Sequence, residues 1–200
     1  SFYQSGHFEE DELDYTQGRL SPFAAWKSDT LRLELSPFFS GSAVHGQEYE
    51  DTRGVTASAL WRPCEWGVTS FSYRFASRDV ILGPNSGFND RDGEVHELSL
   101  SETILPKDSI FTFRVGVNLE LQRTEGDDYN RNVWTPWVEV GCKLPADFHL
   151  GVTYAHRFEE YLDDNSVSGF TEERDDDRDT WSARLERPMN SWLTAFVEYR

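Results

Sequence analysis

A chain of 200 residues with a formal net charge of −17 has the size of one domain. That acid excess excludes nucleic acid as a partner, because no basic surface is available to neutralise phosphates. The absence of any run of about 18 apolar residues excludes a helical membrane span. Mean hydropathy is negative, which still permits a β-barrel, since only every second strand residue of a barrel meets lipid. Ser1 reads as a mature or trimmed start, so export is inferred. Cys64 and Cys142 are the only cysteines, in no metal-binding spacing, and one bridge or two free thiols both fit.

Taken in order, the pattern predicts ten strands, over 19–27, 31–40, 53–62, 67–76, 94–104, 109–122, 132–143, 148–158, 180–187 and 192–200. Residues 1–18 are left as an acidic outer loop. Leu31, Leu33 and Leu35 alternate with Arg32, Glu34 and Ser36. The clearest strand lies in Ser109–Asn132, where Phe111, Phe113, Val115, Val117, Leu119 and Leu121 alternate with Thr112, Arg114, Gly116, Asn118, Glu120 and Gln122. Period-two alternation gives a strand one apolar and one polar face. Tilted near 45°, such a strand covers roughly 25 Å, the height of the apolar band on a membrane barrel. His96 and Glu102 interrupt the apolar face of 94–104, and both are expected near strand ends, within reach of headgroups.

Connections alternate between short and long. Short ones lie around Lys27–Thr30, Arg62–Trp66, Leu105–Ser109, Leu144–Phe148 and Arg187–Trp192, most carrying proline and an acidic or Asn residue suited to tight turns. Long ones lie around Gly41–Arg53, Ser77–Gly93, Arg123–Asn132 and Phe158–Thr180, and hold most of the acid, including EERDDDRD from Glu172 to Asp179. A hairpin plus its outer loop therefore repeats about every 40 residues. Trp26, Trp61, Trp66, Phe111, Phe148 and Trp192 gather at the short-turn ends, and Trp134, Phe158, Tyr161, Trp181 and Tyr199 toward the long-loop ends. Two such girdles are what two membrane–water interfaces select.

The FTFRVGVNLELQ and HLGVTYAHRF strands, the LPKD and LPAD turns and the EGDDYNR and ERDDDRD loops resemble those of Gram-negative outer-membrane β-barrels. Within that class the chain is loosely similar to narrow porins and to barrels attached to exopolysaccharide or lipoprotein export proteins. It implies passage of solutes across the bacterial outer membrane, contact with outer-membrane lipid or lipopolysaccharide, and a periplasmic export partner. The expected fold is an all-β, antiparallel up-and-down transmembrane β-barrel. With short turns toward the periplasm both chain ends fall outside, so a strand is expected to be missing at each end of a barrel of twelve or more.

Catalytic motifs are absent, and so are a cofactor motif and metal-ligand spacing among the five histidines; no enzyme is expected. Asp90-Arg91-Asp92-Gly93 has part of a calcium-loop pattern, but Phe88 and Ser99 stand at required ligand positions, and a solvated turn is favoured. Divalent cations at the acidic outer loops are a weaker expectation than plain self-repelling loops. The predicted lumen lining is Arg32, Glu34, Arg74, Glu97, Arg114, Glu120, Glu139, Arg157, Arg184 and Glu186, with a girdle of Trp26, Trp61, Trp66, Phe148, Trp181 and Trp192. In a narrow ring these arginines and glutamates fill the centre and the barrel is a solid anchor. In a wider ring they line a hydrated path. Three functions follow: a channel or export pore, a structural or adhesive barrel with acidic surface loops, and a soluble carbohydrate-binding β-sandwich stacking sugars on Trp134, Trp137 or Trp181.

Overall fold

A computed structural model of the protein describes residues 2–5, 15–81, 87–164, 166, 169, 173–190 and 193–199. They form one antiparallel sheet of strands β1 (Phe2–Ser5), β2 (Tyr15–Leu20), β3 (Ala24–Lys27), β4 (Leu31–Val44), β5 (Gln47–Cys64), β6 (Gly67–Val80), β7 (Gly93–Ile104), β8 (Phe111–Thr124), β9 (Arg131–Lys143), β10 (His149–Asp164), β11 (Glu173–Pro188) and β12 (Thr194–Tyr199). With β2 and β3 both paired to β4, every other strand pairs with its neighbours in sequence, which is up-and-down topology. All five expected short connections are present.

β2 and β3 are two halves of one descending strand. β2 pairs with the upper part of β4 and β3 with its lower part. The break falls at Pro22, which has no N–H to give to a ladder. Its carbonyl accepts the Ser36 hydroxyl at 2.8 Å, so the gap stays bonded to β4.

The strands overrun their expected ends. In place of a long loop over Gly41–Arg53, β4 and β5 continue to a two-residue turn at His45 and Gly46, with φ of 52° and 74°, as type I′ hairpins require. β10 and β11 likewise extend into the acidic stretch, from Arg157↔Arg178 to Asp164↔Glu173. Charged residues do not end a strand, because backbone groups make the ladder and alternation hands the charges to either face. Residues 1–18, expected as loop, contain β1 and β2, the remainder lying outside the described residues.

The sheet is open rather than a closed barrel. Among the described residues β1 pairs only with β2, and β12 only with β11. Closure needs two long facing edges, whereas β1 has 4 residues at the long-loop end and β12 has 6 at the short-turn end.

Burial is inverted relative to a soluble sheet. The buried apolar residues Phe38, Ala76, Val95 and Val133 share their face with Gln122, Arg114 and Glu139, as the strand register requires. Leu33, Phe71, Leu100, Phe113, Val115, Val140 and Val152 are exposed on the other face. The polar face is thus the concave one. Phe38, 0% exposed, lies between the Arg19 and Arg74 guanidinium groups, 4.2 and 4.9 Å from its ring centre. Gly54 makes room for it: a Cβ there would stand 2.8 Å from the ring and 2.0 Å from the Phe75 carbonyl oxygen. Gly54→Val is expected to destabilise the fold by about 1–3 kcal/mol, the usual cost of overpacking. Denaturant unfolding reads this, and an unchanged midpoint would show that the ring does not seat there.

Candidate functional site

The concave face carries every arginine and glutamate predicted to line a lumen, because each occupies the polar parity of its strand. Register then sets the partners. Arg74 faces Glu97 directly and bonds it at 2.8 Å. Arg114 faces Glu139 at 3.2 Å, and Glu139 also accepts the Thr153 hydroxyl at 3.3 Å. Arg32 reaches Glu34 at 2.8 Å along its own strand. Arg184 meets Glu186 at 3.0 Å and Glu198 at 3.5 Å. Arg131 joins Glu120 at 3.2 Å to Glu159 at 2.8 Å, and Glu159 also holds Arg157. These pairs are a quarter or more exposed on the arginine side, so each is worth under about 1 kcal/mol. Their effect is a concave wall that is close to neutral locally.

Arg131 and Glu159 were assigned to loops in the sequence reading. No local alternation marks them, because past Phe158 the apolar parity carries Glu160 and the polar parity carries Tyr161. Tyr161, expected in the girdle, is only 6% exposed and lies on the concave side opposite Arg131.

Between the charged groups runs a hydrogen-bonded row of small polar residues: Ser58, Ser72, Ser99, Asn118 and Thr135. A neighbouring row holds Ser70, Ser101, Gly116 and Trp137. The indole of Trp137 lies over Gly116, where a Cβ would come within 2.6 Å of it, and Arg114 stacks on the indole at 5.3 Å. A concave groove of about 710 Å³ is lined by Arg114, Glu139, Thr153, Ser182, Arg184 and Glu198 among others.

On the convex face, Trp26, Trp61, Trp66, Trp134 and Trp181 are each at least 50% exposed, as girdle positions require. Phe148 is half-buried under the Arg187 guanidinium, and Trp192 lies outside the described residues. His96 and Glu102 take another solution from the one expected. His96 Nδ1 meets the Tyr73 hydroxyl at 2.7 Å, and Glu102 accepts the Thr69 hydroxyl at 2.6 Å. Both are satisfied by the next strand, at the level of the apolar face. The two cysteines are free. Among the described residues no three His, Cys, Asp or Glu converge on a point that could hold a metal ion.

The long connections are latched to one another rather than splayed by repulsion. Asp128, 7% exposed, accepts the Ser166 amide at 2.7 Å and the Ser166 hydroxyl. Asn130 accepts the Thr124 amide at 2.7 Å and donates to Asp163 at 2.9 Å. The Glu125 and Gly126 amides donate to the Asp92 and Asp90 carbonyls. Asp92 Oδ1 accepts the Val80 amide at 2.7 Å, so the Asp90–Gly93 stretch is a capped turn. Arg91 donates to the Tyr49 hydroxyl at 3.2 Å and stacks on Tyr129 at 4.9 Å. Desolvation opposes its charge, but hydrogen bonding and charge interaction with Tyr129 and Tyr49 outweigh that and hold its pKa above the usual arginine value.

No protein-family model, curated protein or solved structure gives a significant match to the chain. The geometry alone therefore bears on function. The stacking platforms of a carbohydrate-binding sandwich are not brought together: Trp134 and Trp181 lie on the convex face and Trp137 on the concave one. Asp128→Ala is expected to speed amide exchange at Ser166 by about tenfold or more, since hydrogen bonds to charged groups contribute ~1.5–3 kcal/mol. Hydrogen–deuterium exchange of residues 125–130 and Ser166 checks it; unchanged protection would mean the latch carries no load.

Proposed function

We propose that the chain forms the wall of a bacterial outer-membrane β-barrel channel or export pore. Its convex face meets lipid and its concave face lines a hydrated path for hydrophilic solutes. The observation that carries this reading is the inverted sheet, with large apolar side chains exposed outside and paired charges within. A bilayer tolerates no unpaired strand edge, so the reading requires β1 and β12 to be paired in the assembled barrel of twelve or more strands. Passage is favoured over a solid anchor by the small residues of the concave rows. Serine, threonine and glycine cannot fill a barrel interior, which in a plug-like barrel is packed by side chains.

Two measurements test the reading. The protein is expected to need detergent or lipid to stay dispersed, and to conduct ions after reconstitution in a planar bilayer. A monodisperse preparation without detergent would end the membrane claim, and a silent bilayer would leave only the anchor.

The charge of the concave wall gives a sharper outcome. Arg114→Glu puts a second carboxylate beside Glu139, a change of two unit charges. At ~8 Å in water that is on the order of 1 kcal/mol, about fivefold in an equilibrium, so the cation-to-anion permeability ratio is expected to rise about fivefold or more. Reversal potentials in a salt gradient measure it, and an unchanged potential would place Arg114 off the conduction path.

A further inference from the structure

The latched connections do more than close one end of the sheet. They carry Arg91 and Tyr129 over the concave face, where both line a groove of about 360 Å³ together with Arg78, Gln122 and Arg131 from the wall. Two carboxylates, Glu97 and Glu120, complete the charged lining. Three guanidinium groups therefore face two carboxylates, and both carboxylates are already engaged, Glu97 by Arg74 at 2.8 Å and Glu120 by Arg131 at 3.2 Å. Arg78 is held less closely by carboxylate than Arg74 or Arg131. Its carboxylate contact is Glu50 at 3.8 Å, and Glu50 itself accepts the Thr52 hydroxyl at 2.8 Å.

We propose that this groove is a binding point for a small oxyanion, a carboxylate or phosphate group borne by a hydrophilic solute, held by Arg78 and Arg91 beside the Tyr129 phenol. The planar guanidinium fork presents paired donors that match the oxygens of such groups. Arg131 fixes the wall between Glu120 and Glu159, while Arg78 and Arg91 approach from wall and cap. The acidic surroundings make the point selective: a solute carrying an oxyanion on a neutral or cationic body is accepted, whereas a polyanion is repelled by the Asp-rich end of β10 and β11. The site rests on the pore reading for its purpose but not for its detection.

The experiment is calorimetric titration of the folded, detergent-solubilised protein with inorganic phosphate, with acetate, and with glycerol as an uncharged control. Binding of phosphate or acetate without glycerol binding is expected, and which of the two binds tighter names the group. Arg78→Gln combined with Arg91→Gln is expected to weaken it by about tenfold or more, the loss of a charge-assisted contact. Arg114→Gln, in the other groove, leaves it unchanged, and Arg78→Lys retains part of it, which separates a lost charge from a lost fold. Absence of oxyanion binding to the unaltered protein, or equal weakening by Arg114→Gln, overturns the site. Bilayer conductance is read separately, so a conducting protein that binds no oxyanion loses this site and keeps the pore.

Discussion

Everything in this structure depends on where the apolar side chains go. Among the described residues thirty large hydrophobic side chains are exposed and six hydrophobic residues are buried. Burying one such side chain is worth ~1.5–3 kcal/mol. Even at ~1 kcal/mol each, leaving thirty in water forgoes more than the whole 5–15 kcal/mol margin that keeps a domain folded. An exposed apolar area of that extent far exceeds what a soluble monomer shows. The sheet therefore suits the apolar surrounding proposed for its convex side. The satisfaction of His96 by Tyr73 and of Glu102 by Thr69 fits the same constraint, because a polar group in such surroundings must find its partner within the protein.

The concave side answers a complementary problem. Charges of both signs crowd a partly exposed surface, where like charges side by side repel. Cross-strand register solves it by placing arginine and glutamate on facing positions, as at Arg74 and Glu97 or Arg114 and Glu139. No pair contributes much stability by itself. Together they leave a wall without a strong field, so the excess negative charge of the chain resides at the long-loop end, in β10, β11 and the connections. The latch through Asp128, Asn130 and Asp92 turns part of that acid into hydrogen-bond acceptors for backbone and side-chain donors, which is why those connections fold instead of repelling one another.

Much of this was legible in the chain itself. Phe111 to Leu121 fixes which parity is apolar, and the short turns fix the hairpins, so the residues predicted to line a lumen share one face of the sheet. Three things were not legible. The ends of strands were misjudged because acidity was read as loop and the alternation gives no guide there, with Glu160 on the apolar parity and Tyr161 on the polar one. Phe38 was not legible as a packed inward residue because it stands on the polar parity between Ser36 and Ser40, where the pattern leads one to expect a polar side chain. The groove at Arg78, Arg91 and Tyr129 joins a strand to two connections far apart in sequence, and no local period records that meeting.

The remaining question is what the concave face does with its middle. A sheet meant to close around a packed interior puts large side chains there, as Phe38 is packed between Arg19 and Arg74 at one edge of the sheet. Across β5 to β9 the opposite choice is made. Serine, asparagine, threonine and glycine occupy facing positions, and the one large ring, Trp137, is folded down onto Gly116 and covered by Arg114 rather than projecting. Small hydroxyl residues keep a surface wetted and lower its bulk at once. A wall that is oily outside and carries small hydroxyl residues between its paired charges suits the hydrated interior proposed for it.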